Sequence, residues 1–377
     1  MTNVRRMMMA AAGASGDGGY TLWMWGRGNE GSTAHGNTTD YSSPVQVGSL
    51  TDWLQVTGRK HGGHAVKSDG TLWGWGKGTA GANGDGSTTD RYSPVQIGSL
   101  TTWSQAGDDA LQYSAAAVKT DYTLWSWGKN NVGQLGHGGT TDISSPVQVG
   151  SLTNWKEVRF GDKFMAAIKT DGTLWTWGEN ASGRLGHGDT GENYSSPVQV
   201  GSLTNWASLP DHGGSEHGGA IKTDGTLWLW GAGGEGELGQ GNTTSTSSPV
   251  QVGSATNWTQ LSLGPNGTLA LTTAGTLWAC GSGYGGWQGQ DDSTSRSTLT
   301  QVGSLTTWQH ISRSSGGRVS IAVKTDGTLW AWGKNTYGSA GQGNTTAVSS
   351  PVQIGSLTNW ARRPFGGGYH VGALQTG

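Results

Sequence analysis

Lys169-Thr-Asp-Gly-Thr-Leu-Trp-Thr-Trp-Gly178 is the stretch that decides how this chain folds, because close copies of it run through the whole sequence. Its central tripeptide, Thr-Leu-Trp, begins at Thr21, Thr71, Thr123, Thr173, Thr226, Thr276 and Thr328, at spacings of 50, 52, 50, 53, 50 and 52 residues. A period near 50 repeated along a chain marks a toroidal or stacked array of like units, not a conventional enzyme core. Positions that recur in every copy build the scaffold. Positions that differ between copies are where function can sit.

Asp171-Gly172 joins two apolar runs, a hairpin signal expected to form a type I′ turn, and it recurs as Asp69-Gly70, Asp224-Gly225 and Asp326-Gly327. The third copy breaks it with Asp121-Tyr122 and the sixth with Ala274-Gly275. Trp175 and Trp177 lie two apart, so on a strand they share one face. Paired indoles on one face suit the packing of one blade on the next. The sixth copy has Trp278 and then Cys280, which reads as a buried thiol in a Trp slot. Upstream lie Trp155–Val158 and Met165–Lys169, and downstream Ser196–Val200; these short runs between turn signals read as four strands per unit, with no sustained helical period. The Gly-x-Asn-x-x-Gly-x-Leu-Gly-x-Gly segments at Gly128–Gly138 and Gly178–Gly188 are read as tight loops with left-handed glycines. Their spacing and strand-to-strand context exclude a phosphate-binding glycine loop.

The termini are complementary. The first Thr-Leu-Trp lacks the strand pair that precedes it elsewhere, and Val371-Gly-Ala-Leu-Gln-Thr-Gly377 matches that missing segment. An open solenoid carries capping repeats and two exposed ends. A closed all-β ring, a seven-bladed β-propeller of four-stranded blades, is therefore expected over residues 21–377, closed by joining the N- and C-terminal segments in one blade. Residues 1–20 are expected to be a flexible tail, in which Arg5, Arg6 and the run to Ala12 form a docking peptide at most and make a poor secretion signal.

Composition agrees. The chain has 69 Gly among 377 residues yet 21 Trp, so it is no disordered low-complexity segment. A buried indole removes roughly 200 Å² from water, on the order of 5 kcal/mol. A net charge of −2 leaves no electrostatic footprint for nucleic acid or for an anionic membrane. Cys280 is the only cysteine, which excludes an intrachain disulfide framework. No stretch approaches the ~20 apolar residues of a membrane-spanning helix.

The pattern Ala-Val/Ile-Lys-Thr-Asp-Gly-Thr-Leu-Trp-x-Trp-Gly-x-Asn-x-x-Gly-x-Leu-Gly-x-Gly resembles the repeat of the RCC1-like (regulator of chromosome condensation) propellers over residues 21–377. Members include an exchange factor, a plant ultraviolet photoreceptor and a β-lactamase inhibitor, so the fold alone does not determine the role. The resemblance implies that the variable loops after the first strand of each unit gather on one face. Those loops supply the candidate binding residues Arg59, Lys60, His61, Asp108, Asp109, Tyr113, Lys163, Phe164, His212, Glu216, His217, Arg313, Arg318, Tyr369 and His370. No Trp lies in them, which disfavours light sensing of the photoreceptor kind. Trp287, the one Trp outside the repeat slots, is a further candidate: an exposed ring for a sugar or partner, or a filler of the space left by Cys280.

His35, His137 and His187 occupy equivalent positions in separate units and are not expected to converge on a metal. Asp211, His212, Glu216 and His217 form the densest local cluster and read as a polar loop. No acid–base–nucleophile set can be assembled, so no catalytic residue, metal or cofactor is assigned. The expected function is a non-enzymatic propeller that recognises a protein or glycan through its loop face, extracellular or virion-associated rather than cytoplasmic. The alternatives are a polysaccharide hydrolase or lyase at the channel mouth, with paired carboxylates such as Asp108 and Asp109, or a proteinaceous enzyme inhibitor. No nucleic acid and no membrane insertion are expected, and the sequence leaves the oligomeric state open.

Overall fold

The computed structural model describes residues 19–108, 113–314, 319–361 and 364–376. Within them the chain forms seven antiparallel sheets of four strands each. Blade 1 spans residues 53–96, blade 2 103–148, blade 3 155–199, blade 4 206–251, blade 5 258–301 and blade 6 308–353. Blade 7 is composite. Its first two strands are Phe365–Gly366 and His370–Gln375, and its last two are Thr21–Gly26 and Tyr41–Gln46. Thr21 pairs with Gln375 and Gly26 with His370, so the two ends of the chain close the ring in one sheet, as expected.

The first strands of neighbouring blades touch and surround the axis. The second strands are buried along their whole length, for example Phe164–Lys169, and the fourth strands, such as Tyr41–Gln46, are only half-covered. Small residues in the second strands make room for indoles. A side chain on Gly218 would collide with the Trp230 ring, and one on Gly63 with Trp75. Each hydrophobic cluster spans a seam: Leu22, Met24 and Leu374 of blade 7 pack with Trp53, Ala65 and Trp75 of blade 1.

The recurring decapeptide now has a physical account. Asp171 Oδ1 accepts hydrogen bonds from Thr173 N at 3.0 Å and Thr173 Oγ1 at 2.7 Å, and Thr173 Oγ1 in turn accepts from Trp175 Nε1 at 2.8 Å. Lys169 lies over the same indole, its Nζ 3.5 Å from the ring centroid. The cation–π contact lets a lysine be buried at the sheet end. Asp, Thr, Trp and Lys are thus one interlocked unit, which explains why they travel together through the repeats.

The second Trp of the pair has a different task. Trp25, Trp75, Trp127, Trp230 and Trp332 each donate Nε1–H to a carbonyl of the preceding blade, on Ser339, Ser32, Ala82, Arg184 and Trp287, at 2.7–3.3 Å. Trp177 fills the same slot without that bond. Cys280 directs its Sγ at the corresponding carbonyl of Glu237, 3.5 Å away. The thiol is fully buried and its pKa is pushed up to about 12 by desolvation, so it is no nucleophile.

The expected type I′ turn is corrected. At Thr170-Asp171-Gly172 only the glycine is left-handed, with φ 78°. Gly172 N donates to Lys169 O at 3.0 Å, which makes a type I turn closed by a glycine bulge. Tyr122 occupies the glycine position of blade 2 at φ 63°. A side chain in that region costs about 1–2 kcal/mol. Tyr122→Gly is therefore expected to stabilise the protein by about 1 kcal/mol in chemical denaturation, and a destabilised variant would count against the strain.

Candidate functional site

First-to-second-strand loops and third-to-fourth-strand loops emerge on the same side of the disc, hereafter the loop face. The opposite face repeats itself, presenting the same exposed leucine after six fourth strands: Leu50, Leu100, Leu152, Leu203, Leu305 and Leu357. Chain-specific residues are concentrated on the loop face.

The sequence candidates divide there into two groups. Lys60, His61, Tyr113, Lys163 and Tyr369 are half-exposed and Glu216 is exposed. Asp109 and Arg318 lie outside the described residues, and Asp108 ends the first strand of blade 2. The remaining candidates are buried. Arg59 is 0% exposed, its Nη2 donating to Trp75 O at 2.8 Å and to Asn83 Oδ1. His370 reaches from blade 7 to Gly62 O of blade 1 at 3.1 Å, and His212 from blade 4 to Leu263 O of blade 5 at 3.1 Å. His217 Nε2 lies 3.3 Å from Thr268 Oγ1 across the same seam, and Phe164 is packed inside blade 3. The reason is common to the polar side chains among them. A long polar side chain at the inner end of a blade meets the neighbouring blade's carbonyls or hydroxyls before it meets water.

Trp287 is corrected on both counts. It is 1% exposed, so it is no stacking platform, and it packs with Trp308 and Trp332 on the seam of blades 5 and 6. Cys280 faces blade 4, so Trp287 does not refill its slot. Arg313 lies over the indole, 3.4 Å from the centroid, while its Nη1 donates to Gly267 O at 2.6 Å. The exposed aromatic of blade 5 is Tyr284.

Residues left on the surface assemble most densely where blades 6, 7, 1 and 2 adjoin. Arg27 stacks on Tyr337, 4.7 Å from the centroid, and lies 5.8 Å from Tyr369; the two tyrosines meet edge to face at 5.6 Å. Beside them Glu30 receives Lys77 Nζ at 2.5 Å and His61 Nδ1 at 2.8 Å. His61 in turn stacks on Tyr113 with centroids 6.0 Å apart. A backbone bond braces each group: Arg27 N donates to Tyr369 O at 3.0 Å, and Lys77 N to His61 O at 2.8 Å. Burial holds the His61 pKa down at about 4; Glu30 pulls against it, and Lys60, Lys77 and Arg27 each push it lower. The ring is therefore neutral at pH 7 and donates a hydrogen bond to Glu30.

Arg27, Glu30, Lys77 and Tyr337 were not legible as site residues, because they sit in the glycine-rich loop that reads as scaffold. Departure from the repeat finds only Tyr337, which stands where the other copies have Glu30, Ala80, Val132, Ser182, Glu235 or Gly285; Arg27 and Lys77 share their basic position with Lys129 and Lys334. The left-handed backbone of Glu30 and Tyr337, at φ 58° and 62°, belongs to the repeat, since Ala80 and Ser182 hold φ 59° at the same position.

Near the axis a cavity of about 30 Å³ is lined by Gln55, Thr57, Arg159, Asp211, His212 and Ser312. That is water-sized. Among the described residues no three His, Cys, Asp or Glu side chains are placed to hold a metal ion. His137 and His187 bond instead to hydroxyls of their own blades, Ser126 and Thr176, at 2.9 and 3.0 Å.

Buried His217 predicts a pH dependence. Desolvation, with Arg313 and Arg184 adding, lowers its pKa from 6.5 to about 3. The unfolded chain takes up a proton below pH 6.5 that the folded chain refuses, so this group's contribution is complete above 6.5 and declines as pH falls toward 3. Denaturation midpoints are expected to drop across that window, and less steeply in His217→Gln. An identical decline in the variant would remove His217 as a cause.

Fold and face together define the class: a closed seven-bladed repeat propeller whose individual residues are gathered on one loop face. Within that class the chain belongs to the RCC1-repeat family. The regulator of chromosome condensation (RCC1) repeat matches residues 123–168, 171–218, 224–271 and 326–374. The ultraviolet-B receptor UVR8 of Arabidopsis thaliana is 31% identical over 358 residues, 93% of this chain and 70% of the receptor. Among solved structures, Prp20p of Saccharomyces cerevisiae, reported with its binding to Gsp1p and histones, superposes with a TM-score of 0.81 at 16% identity, covering 95% of this chain and 91% of Prp20p. Human WBSCR16 gives 0.80 at 17% identity, covering 94% and 98%. At these identities the two structures speak for the fold alone.

Proposed function

We propose that this chain is a non-enzymatic binding propeller that holds a protein partner against the Arg27–Tyr337–Tyr369 and Glu30–His61–Lys77–Tyr113 sector of its loop face. The observation that carries this reading is the contact network in which the copy-specific loop residues Tyr337, Tyr369, His61 and Tyr113 meet Arg27, Glu30 and Lys77. Tyrosine and arginine are the residue types that dominate binding hot spots, and these are already held against one another before a partner arrives. Prp20, a structural neighbour of the same fold, has been solved with Kap60 bound to it.

The test is affinity capture with the full chain, its Tyr337→Ala/Tyr369→Ala form, and Glu216→Ala on blade 4 as a control. Partners retained by the parent and by Glu216→Ala but lost by the tyrosine variant support the reading. Partners that survive the tyrosine changes overturn it. A glycan array run in parallel replaces the protein by a sugar if a hit shows the same dependence.

A further inference from the structure

We infer that the segment received by this sector is acidic: a stretch of partner polypeptide rich in aspartate or glutamate, accepted by Arg27, Lys60 and the tyrosine hydroxyls. This rests on the binding reading above and narrows it to a partner chemistry.

The argument starts from the charges. Among the residues whose side chains are described, the solvent-reaching charges of the sector are three permanent cations, Arg27, Lys60 and Lys77, and one carboxylate, Glu30. Glu30 is already engaged, by Lys77 at 2.5 Å and by the neutral His61 at 2.8 Å. Lys77 is consumed by the same pair. What remains is two positive charges, Arg27 and Lys60, neither of which has a carboxylate within ion-pair distance among the described residues. Arg27 is braced on the faces of Tyr337 and Tyr369, so its guanidinium is oriented without being neutralised. A guanidinium held this way retains donors for an incoming carboxylate.

Hydrogen-bonding capacity points the same way. The hydroxyls of Tyr337 and Tyr369 make no hydrogen bond within the described residues, although their rings are packed. Guanidinium and ammonium groups only donate, a phenol donates readily, and an ionised carboxylate only accepts. The unengaged groups of the sector are therefore mostly donors, and a carboxylate-bearing partner satisfies them.

Other anions fit less well. A nucleic-acid strand needs a run of cations along its phosphates, whereas here Glu30 interrupts the patch and the chain carries a net charge of −2. A second copy docking by the same surface would set one net-positive patch against another, since a two-fold contact joins the same patch on both copies. The edge-to-face contact of Tyr337 with Tyr369 and the stacking of Arg27 on them keep the donors in place, which lowers the ordering cost of association.

Fluorescence anisotropy with the full chain tests this. The probes are a labelled (Glu-Ser)6 peptide, a (Lys-Ser)6 peptide and a twelve-nucleotide oligothymidylate. The variants are Arg27→Glu, Lys60→Glu and, as a control of equal charge change on blade 3 of the same face, Lys163→Glu, each checked for an unchanged melting curve. The expected result is binding of the Glu peptide alone, weakened by added salt and weakened about tenfold or more by Arg27→Glu and Lys60→Glu, with Lys163→Glu close to the parent. Equal binding of the Lys peptide, equal loss in Lys163→Glu, binding of the oligonucleotide with the same variant dependence, or no binding of the Glu peptide each overturns the inference. A partner captured through Tyr337 and Tyr369 that the Glu peptide does not displace would leave the binding function standing and sink only its acidic character.

Discussion

Trp230→Ala is expected to lower the unfolding free energy by about 3–5 kcal/mol, the range for truncating a fully buried large aromatic. Trp230 is 0% exposed and packs with Trp206 of its own blade and, across the seam, with Ile168 and Leu174 of blade 3. Its Nε1–H is the bond to Arg184 O at 2.9 Å, so the truncation also leaves a buried carbonyl short of a partner. Its companion Trp228 is a useful contrast. That ring is half-exposed, held by Thr226 Oγ1 at 2.9 Å and covered by Lys222 at 3.5 Å. Trp228→Ala is expected to cost less, about 1–3 kcal/mol by lost apolar area. Equilibrium denaturation of the two variants separates the roles. Equal losses would mean that the interblade carbonyl bond and deeper burial contribute nothing extra.

Removing residues 365–377 is expected to abolish cooperative unfolding. The deletion strips blade 7 of Phe365–Gly366 and His370–Gln375, and the six paired residues Thr21–Gly26 lose the strand that ties them to the ring. His370 no longer reaches Gly62 of blade 1, and Val371 and Ala373 leave the cluster they share with blade 6. The edge of Thr21–Gly26 that paired with His370–Gln375 is then open to solvent, a configuration prone to association. Calorimetry and size-exclusion chromatography should show a broadened, depressed transition and larger species. A truncated chain that melts like the full one, as a monomer, would show that closure is not what holds the ring.

Both effects follow from features visible in the sequence, because each depends on repetition. The Thr-Leu-Trp period, the Trp pair and the matching ends at Thr21 and Val371 are local signals copied many times, and a hairpin with small residues facing indoles has few ways to pack. Turn type was less legible. Asp171-Gly172 marks a hairpin, but whether one or two residues turn left-handed depends on the loop length that the flanking register allows, and here the Lys169–Thr173 closure leaves three loop residues.

The binding site divides differently. Arg59, His212, His217, Arg313 and His370 read as surface residues because polar groups normally seek water, yet the ring presses them against neighbouring blades whose carbonyls and hydroxyls serve them equally well. Trp287, outside the repeat slots, read as an exposed ring or as a filler of the space left by Cys280, and it proved to be a seam residue stacked under Arg313. Arg27, Glu30 and Tyr337 were hidden in a loop whose glycines suggested scaffold alone.

The sequence by itself thus determined the strand pattern, the number of blades, the closure and the identity of the interlocking scaffold residues, since short-range spacing and internal repetition encode all of these. Only the tertiary structure decided which variable side chains reach solvent and which of them meet. Arg27 comes together with Tyr337 and Tyr369 from opposite ends of the chain, and no local signal encodes a contact that exists only because the ring closes.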